Sequence, residues 1–277
     1  MFLNGNAGLF NHHFSRAALL GRALLLIFAA TSVANAQQPS QPTKLDILLA
    51  FFYKDPQPER LVGIFTSLQN QSSQWGAYPP VAGLFAELFK LHPDWIERLT
   101  PSAPDPKAVS TLVAALRLSG QAAKADLLRA KFANGGMDQR LEAEFARLPV
   151  RMEDLQISTP THLDLLWGAS FAGGDGRYVR PIIDFLANAT NDSELVAIDV
   201  AKIAISMGGG PKDVLTGLKE KYGETRARQM IYAGVALWAI RSNAMQHAFV
   251  KQTVTKYIQE HSGTPATKAL SALTGIK

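Results

Sequence analysis

Pro79-Pro80-Val81-Ala82-Gly83-Leu84-Phe85-Ala86-Glu87-Leu88-Phe89 decides the fold class. Val81, Leu84, Phe85, Leu88 and Phe89 recur at three- and four-residue steps, the spacing that lines one face of an α-helix. Proline at the head of such a run suits a helix start, where the backbone N–H has no partner to lose. The design recurs outward along the chain. Leu45, Leu48, Leu49 and Phe52 share one face, and Leu61, Ile64, Phe65 and Leu68 another. Between them Asp55-Pro56-Gln57-Pro58 breaks the chain, because each proline lacks an N–H and restricts the residue before it. That pair reads as a helical hairpin. His92-Pro93-Asp94-Trp95 starts a short helix. Val109, Leu112, Val113 and Leu116 form the next stripe, entered at Asp105-Pro106 and ended at Gly120. A second helix follows over 122–132, and Leu141, Phe145 and Leu148 mark one more.

Residues 149–160 are less regular and separate two predicted helical subdomains, 44–148 and 161–277. Thr161 is expected to cap a helix that runs to about 172. Gly173-Gly174-Asp175-Gly176 turns the chain, and Pro181 kinks the next helix or marks its start. Asn191-Asp192-Ser193 caps 194–207, Gly208-Gly209-Gly210 ends it, and Pro211 opens another. Residues 224–241 and 243–260 read as a long final hairpin, with fraying expected after Gly263. Runs of strict period two, the mark of a half-buried strand, are missing. The predicted class is all-α: stacked antiparallel helical hairpins, as an irregular α-solenoid or an orthogonal bundle. Hairpins starting at 45, 109 and 163 are unevenly spaced, so no repeat family is assigned.

The N-terminus reads as an address. Arg16 and Arg22 precede the apolar run Ala23-Leu24-Leu25-Leu26-Ile27-Phe28-Ala29-Ala30, and Ala34-Asn35-Ala36 places small residues where a signal peptidase cuts. Residues 1–36 are therefore expected to be a signal peptide, cleaved after Ala36, with 37–43 a polar, proline-containing lead-in. A spanning helix needs ~20 mainly apolar residues. Arg22 and Asn35 interrupt this run, and no later segment is long and apolar enough, so no transmembrane segment is expected after cleavage. Export without any cysteine fits a bacterial periplasm or exterior better than a eukaryotic one.

Composition removes several chemistries. None of the 277 residues is cysteine, which excludes disulfides, thiolate zinc sites and a cysteine nucleophile. The net charge of +5 falls to +3 once Arg16 and Arg22 leave with the leader, and no dense basic block accompanies it, so no nucleic-acid partner is expected. His92, His162, His247 and His261 include no pair at helical ligand spacing, so no metal or cofactor is assigned. His162 reads as a first-turn surface residue, and Ser170 as packing. No G-x-S-x-G or S-x-x-K motif supplies a nucleophile. Gly208-Gly209-Gly210-Pro211-Lys212 opens a helix but lacks the P-loop pattern. Glu87 is the acid most closely flanked by aromatics. A glycan-cleaving helical enzyme can use one such glutamate, but its place beside Lys90 reads as a solvated helix flank, and no catalytic residue is assigned.

What remains is recognition. Trp75 and Tyr78 stand in a glycine-containing connection, and Arg177, Tyr178 and Arg180 follow the 173–176 turn. Tyrosine, tryptophan and arginine anchor many interfaces. The leading expectation is an exported module that binds another protein or an envelope polymer. A helical peptidoglycan hydrolase is the alternative. A carrier of an apolar small molecule, suggested by Phe51-Phe52 and the phenylalanines at 85 and 89, is a third.

Overall fold

The structure is a computed structural model that describes residues 44–70, 78–132, 136–208 and 217–276. The leader, the lead-in, Trp75 and Gly209-Gly210-Pro211-Lys212 lie outside them. Everything regular within them is helical, as the apolar spacing requires; the one β-type contact is an isolated bridge between Ser119 and Arg151. No helix among the described residues is long and apolar enough to cross a membrane.

The first half contains α1 (Lys44–Ala50), α2 (Ile64–Asn70), α3 (Tyr78–Leu91), α4 (Trp95–Leu99), α5 (Pro106–Leu118), α6 (Ala122–Lys131) and α7 (Gln139–Phe145). The proline-rich break after α1 carries two short 3₁₀ turns, Phe52–Lys54 and Pro58–Leu61, so Phe52 and Leu61 leave the helices that the spacing gave them. Asp105 caps α5, its Oδ1 accepting the Ala108 N–H at 2.9 Å, and Asp138 caps α7 through Leu141 N–H at the same distance. The second half contains α8 (Pro160–Gly173), α9 (Val179–Thr190), α10 (Glu194–Met207), α11 (Leu218–Tyr222), α12 (Glu224–Gln246), α13 (Ala248–Glu260) and α14 (Pro265–Thr274). Ser193 caps α10 as expected.

Three expectations change. Helix α8 starts at Pro160 rather than after Thr161; the Thr161 hydroxyl donates instead to Glu144 Oε2, 2.8 Å away. The last long pair breaks at His247, not near residue 242. Residues beyond Gly263 do not fray. Thr264 caps α14, whose Ala266 and Leu270 are fully buried against the body.

The centre is the crossing of α3 with α8. Every residue of α3 from Tyr78 to Phe89 is buried. A Cβ on Gly83 would overlap the Leu165 carbonyl oxygen, and one on Gly168 would overlap that of Pro80. The two antiparallel backbones therefore touch, which only glycine at both positions permits. This contact fixes the last turns of α3, and with them Glu87, against the turn that leads into α9.

Candidate polar site beneath Arg177

Glu87 is 1% exposed, not a solvated flank. The stripe Val81–Phe89 predicted one buried face, but α3 is enclosed on all sides, and its polar edge lies under the α8–α9 turn. Burying a carboxylate is expensive unless it is paired. Here the Tyr178 hydroxyl donates to Glu87 Oε2 at 2.5 Å, and Arg177 Nη2 lies 3.1 Å from Oε1.

The glycine-rich turn makes this placement possible. Gly174 ends α8 in the left-handed region at φ +67°, and a side chain there would strike the Tyr53 ring. A Cβ on Gly176 would overlap the Thr253 hydroxyl of α13. The turn is thus pressed against two neighbours, which holds the following Arg177 and Tyr178 in place. Asp175 finishes the turn. Its Oδ1 accepts the Arg177 N–H at 2.8 Å, and its Oδ2 takes Arg177 Nη2 at 3.0 Å. One guanidinium nitrogen therefore bridges Asp175 and Glu87.

Around this centre Lys90 is ion-paired with Glu153, whose Oε1 lies 3.2 Å from the Tyr178 hydroxyl. That hydroxyl has one proton and two acidic acceptors. Burial, reinforced by Glu87, pushes the Tyr178 phenol far up, so it stays a donor. Burial works against the Glu153 carboxylate, but Lys90 and a backbone hydrogen bond hold it below the usual carboxylate range. The result is a buried acid under a fixed surface of mixed charge. Arg177 and Asp175 stay 42% and 46% exposed at the side chain, and Lys90 and Glu153 border them.

The remaining candidates lie elsewhere. Tyr78 opens α3 as a buried residue, its phenol pushed up to about 12 by burial and by Asp105 and Asp138. Arg180 faces another way. It bonds Asp184 at 3.1 Å and Glu260 at 2.9 Å and covers the Tyr257 ring, tying α9 to α13. His162 is buried, not on the surface, with Nδ1 2.7 Å from the Gln156 carbonyl oxygen. Ser170 is packed and donates to the Leu166 carbonyl oxygen. Phe85 packs against Phe65 and Phe89, within the core. Sequence reading missed Lys90 and Glu153 as partners; they are 63 residues apart and carry no local signal. Asp175, two positions before Arg177, was within reach.

No family model matches the chain, and neither curated proteins nor solved structures supply a match.

Proposed function

We propose that the chain is an exported bacterial protein of stacked helical hairpins that binds an envelope or secreted macromolecule through the surface around Arg177. The observation that supports this is the anchoring of Arg177. Its guanidinium is fixed from below by buried Glu87 and from the side by Asp175, yet much of it faces solvent. A charged group already fixed in position loses little freedom on binding, which favours affinity and selects partners of complementary charge.

Export is tested by fractionation and N-terminal sequencing, with the mature chain expected to begin at Gln37. Binding is tested by crosslinked affinity capture from the periplasm. Arg177→Ala is expected to lose the partner that the wild type captures. Lys268→Ala, at an exposed side chain ion-paired with Glu194 beyond the far end of α9, is expected to keep it. Capture indifferent to Arg177 would sink the reading.

One observation favours a hydrolase instead: Glu87 Oε1 is buried with only the Arg177 ion pair to satisfy it. The binding reading expects Glu87→Gln to leave peptidoglycan turnover unchanged. Loss of muropeptide release by that variant, with circular dichroism unaltered, decides for the enzyme.

A further inference from the structure

Large apolar side chains that reach the surface are scattered singly over the described residues, except on α10. There Leu195, Ile198 and Ile205 are 53%, 51% and 46% exposed. Single exposed apolar groups need no explanation, but a row of them on one helix does. The inner side of α10 is already used. Val196, Val200 and Ile203 are buried, and a Cβ on Gly234 of α12 would overlap Ile203, so the two helices are in close contact. A surface helix normally turns a polar face outward. Here the outward face reads Leu195, Ile198, Lys202, Ile205, at steps of three, four and three residues. That is the a/d spacing of a coiled-coil seam, the pattern with which one helix packs against another. Lys202 is the one charge in this row, and its ammonium turns to Asp199 of the same helix, 3.2 Å away. Asp199 is buried and also takes Lys221 at 2.8 Å and the Tyr222 hydroxyl at 2.7 Å.

We propose that this outer face of α10 is the seam of an antiparallel homodimer, its occupant being α10 of a second copy. The row is its own complement. Leu195 and Ile205 lie equally far from Val200, and so do Ile198 and Lys202. A two-fold axis crossing the helix pair at Val200 therefore sets Leu195 on Ile205 of the second copy, and Ile198 on the methylene stem of its Lys202. Long basic side chains cover apolar surface in this way while the charged end stays in water. Charge fixes the direction. Parallel helices related by a two-fold bring each residue to its own copy, Lys202 to Lys202 and Glu194 to Glu194. The antiparallel pair separates those like charges and brings Lys202 to the flank where the second copy carries Asp199, an attraction in place of a repulsion. The seam spans about three helical turns. That is a small interface, so the dimer forms at micromolar rather than nanomolar concentrations. It does not depend on the Arg177 surface: Arg177 precedes α9, and α10 follows it.

The test is sedimentation velocity on the purified protein from about 1 to about 100 μM, with circular dichroism on every variant. The wild type is expected to pass from monomer to dimer across that range. Ile198→Lys adds a like charge opposite Lys202 and is expected to raise the dissociation constant at least about tenfold. Lys202→Leu removes the charge from the seam and is expected to lower it on the order of tenfold. That variant decides the matter if Ile198→Lys fails to fold. The chain has no cysteine, so introduced ones report alone. A mixture of Leu195→Cys and Ile205→Cys chains is expected to form a disulfide-linked dimer under mild oxidation, and Leu195→Cys alone is not. Leu195→Cys that crosslinks to itself as readily as the mixture would mark a parallel pair and overturns the proposal. So does a dimer indifferent to both Ile198→Lys and Lys202→Leu. A wild type that stays monomeric throughout overturns it as well, and leaves the face to a foreign helix.

Discussion

At the scale of single residues, His247 shows how burial rather than charge pairing sets chemistry. Its ring is 1% exposed and surrounded by Phe51, Tyr53, Phe171 and Phe249, with centroids 4.8 to 5.7 Å away. The Tyr53 hydroxyl and His247 Nδ1 share a hydrogen bond at 3.1 Å. Burial, helped by Lys54, lowers its pKa to about 4. Unfolded histidine titrates near 6.5, so between that value and about 4 the unfolded chain holds the extra proton. Stability from this group is therefore complete above about pH 6.5 and is lost as pH falls towards 4. A gap of that size corresponds to a few kcal/mol. Urea midpoints should fall from pH 7 to pH 5, and His247→Phe should flatten that slope. The flattening will be partial, because burial lowers His162 in the same direction. An unchanged slope in the variant would remove His247 as the cause. Neither burial was legible beforehand, since His247 reads as one more residue of an amphipathic run until Phe51 and Phe171, far away in sequence, close around it.

At the scale of elements, a spacing rule finds a helix but not what lies on its other faces. The run Val81–Phe89 and its prolines located α3 correctly, and Asp105, Gly120 and Ser193 behaved as the local rules require. Glu87 was misread and Gly83 passed over for one reason: both lie off the apolar stripe, on sides that only tertiary packing covers. Gly83 meets the backbone of α8, and Glu87 meets Arg177 and Tyr178. A methyl at Gly83 raises helix propensity by ~1 kcal/mol but runs into a carbonyl that cannot turn aside. Overpacking of this kind costs about 1–3 kcal/mol, and more when the obstacle is backbone. Gly83→Ala and Gly168→Ala should each lower stability in urea unfolding. The pair should lose less than the sum, because separating the helices once relieves both clashes. The C-terminal helix gives the converse case. Its fraying was expected from position alone, but Leu270 is fully buried and the Ala266 N–H donates to Asn191 Oδ1 at 3.1 Å. Leu270→Ala should cost about 2–5 kcal/mol in the same assay.

At the scale of the whole molecule, the irregular segment around 149–160 divides the chain without dividing its interior. Buried apolar residues from Leu45 to Ile276 form a single cluster, and its middle is α3 from the first half set against α8 from the second. Helix α3 is buried from Tyr78 to Phe89, so a fragment ending near residue 148 would expose the surface that α8 covers, including Gly83 and the Pro80 carbonyl. The same cut would leave Glu87 without Arg177 and Tyr178, a buried acid stripped of the groups that make burial tolerable. Two fragments, one ending at 148 and one beginning at 149, should therefore each lack a cooperative transition when expressed alone. The intact chain should unfold in a single step, with tryptophan fluorescence and circular dichroism coincident across urea. The candidate site makes the same demand, because Glu87 and Lys90 come from α3 while Arg177 and Tyr178 follow α8. A fragment that folded alone would show that the halves are separate bodies, and that the surface around Arg177 is assembled by docking rather than by folding.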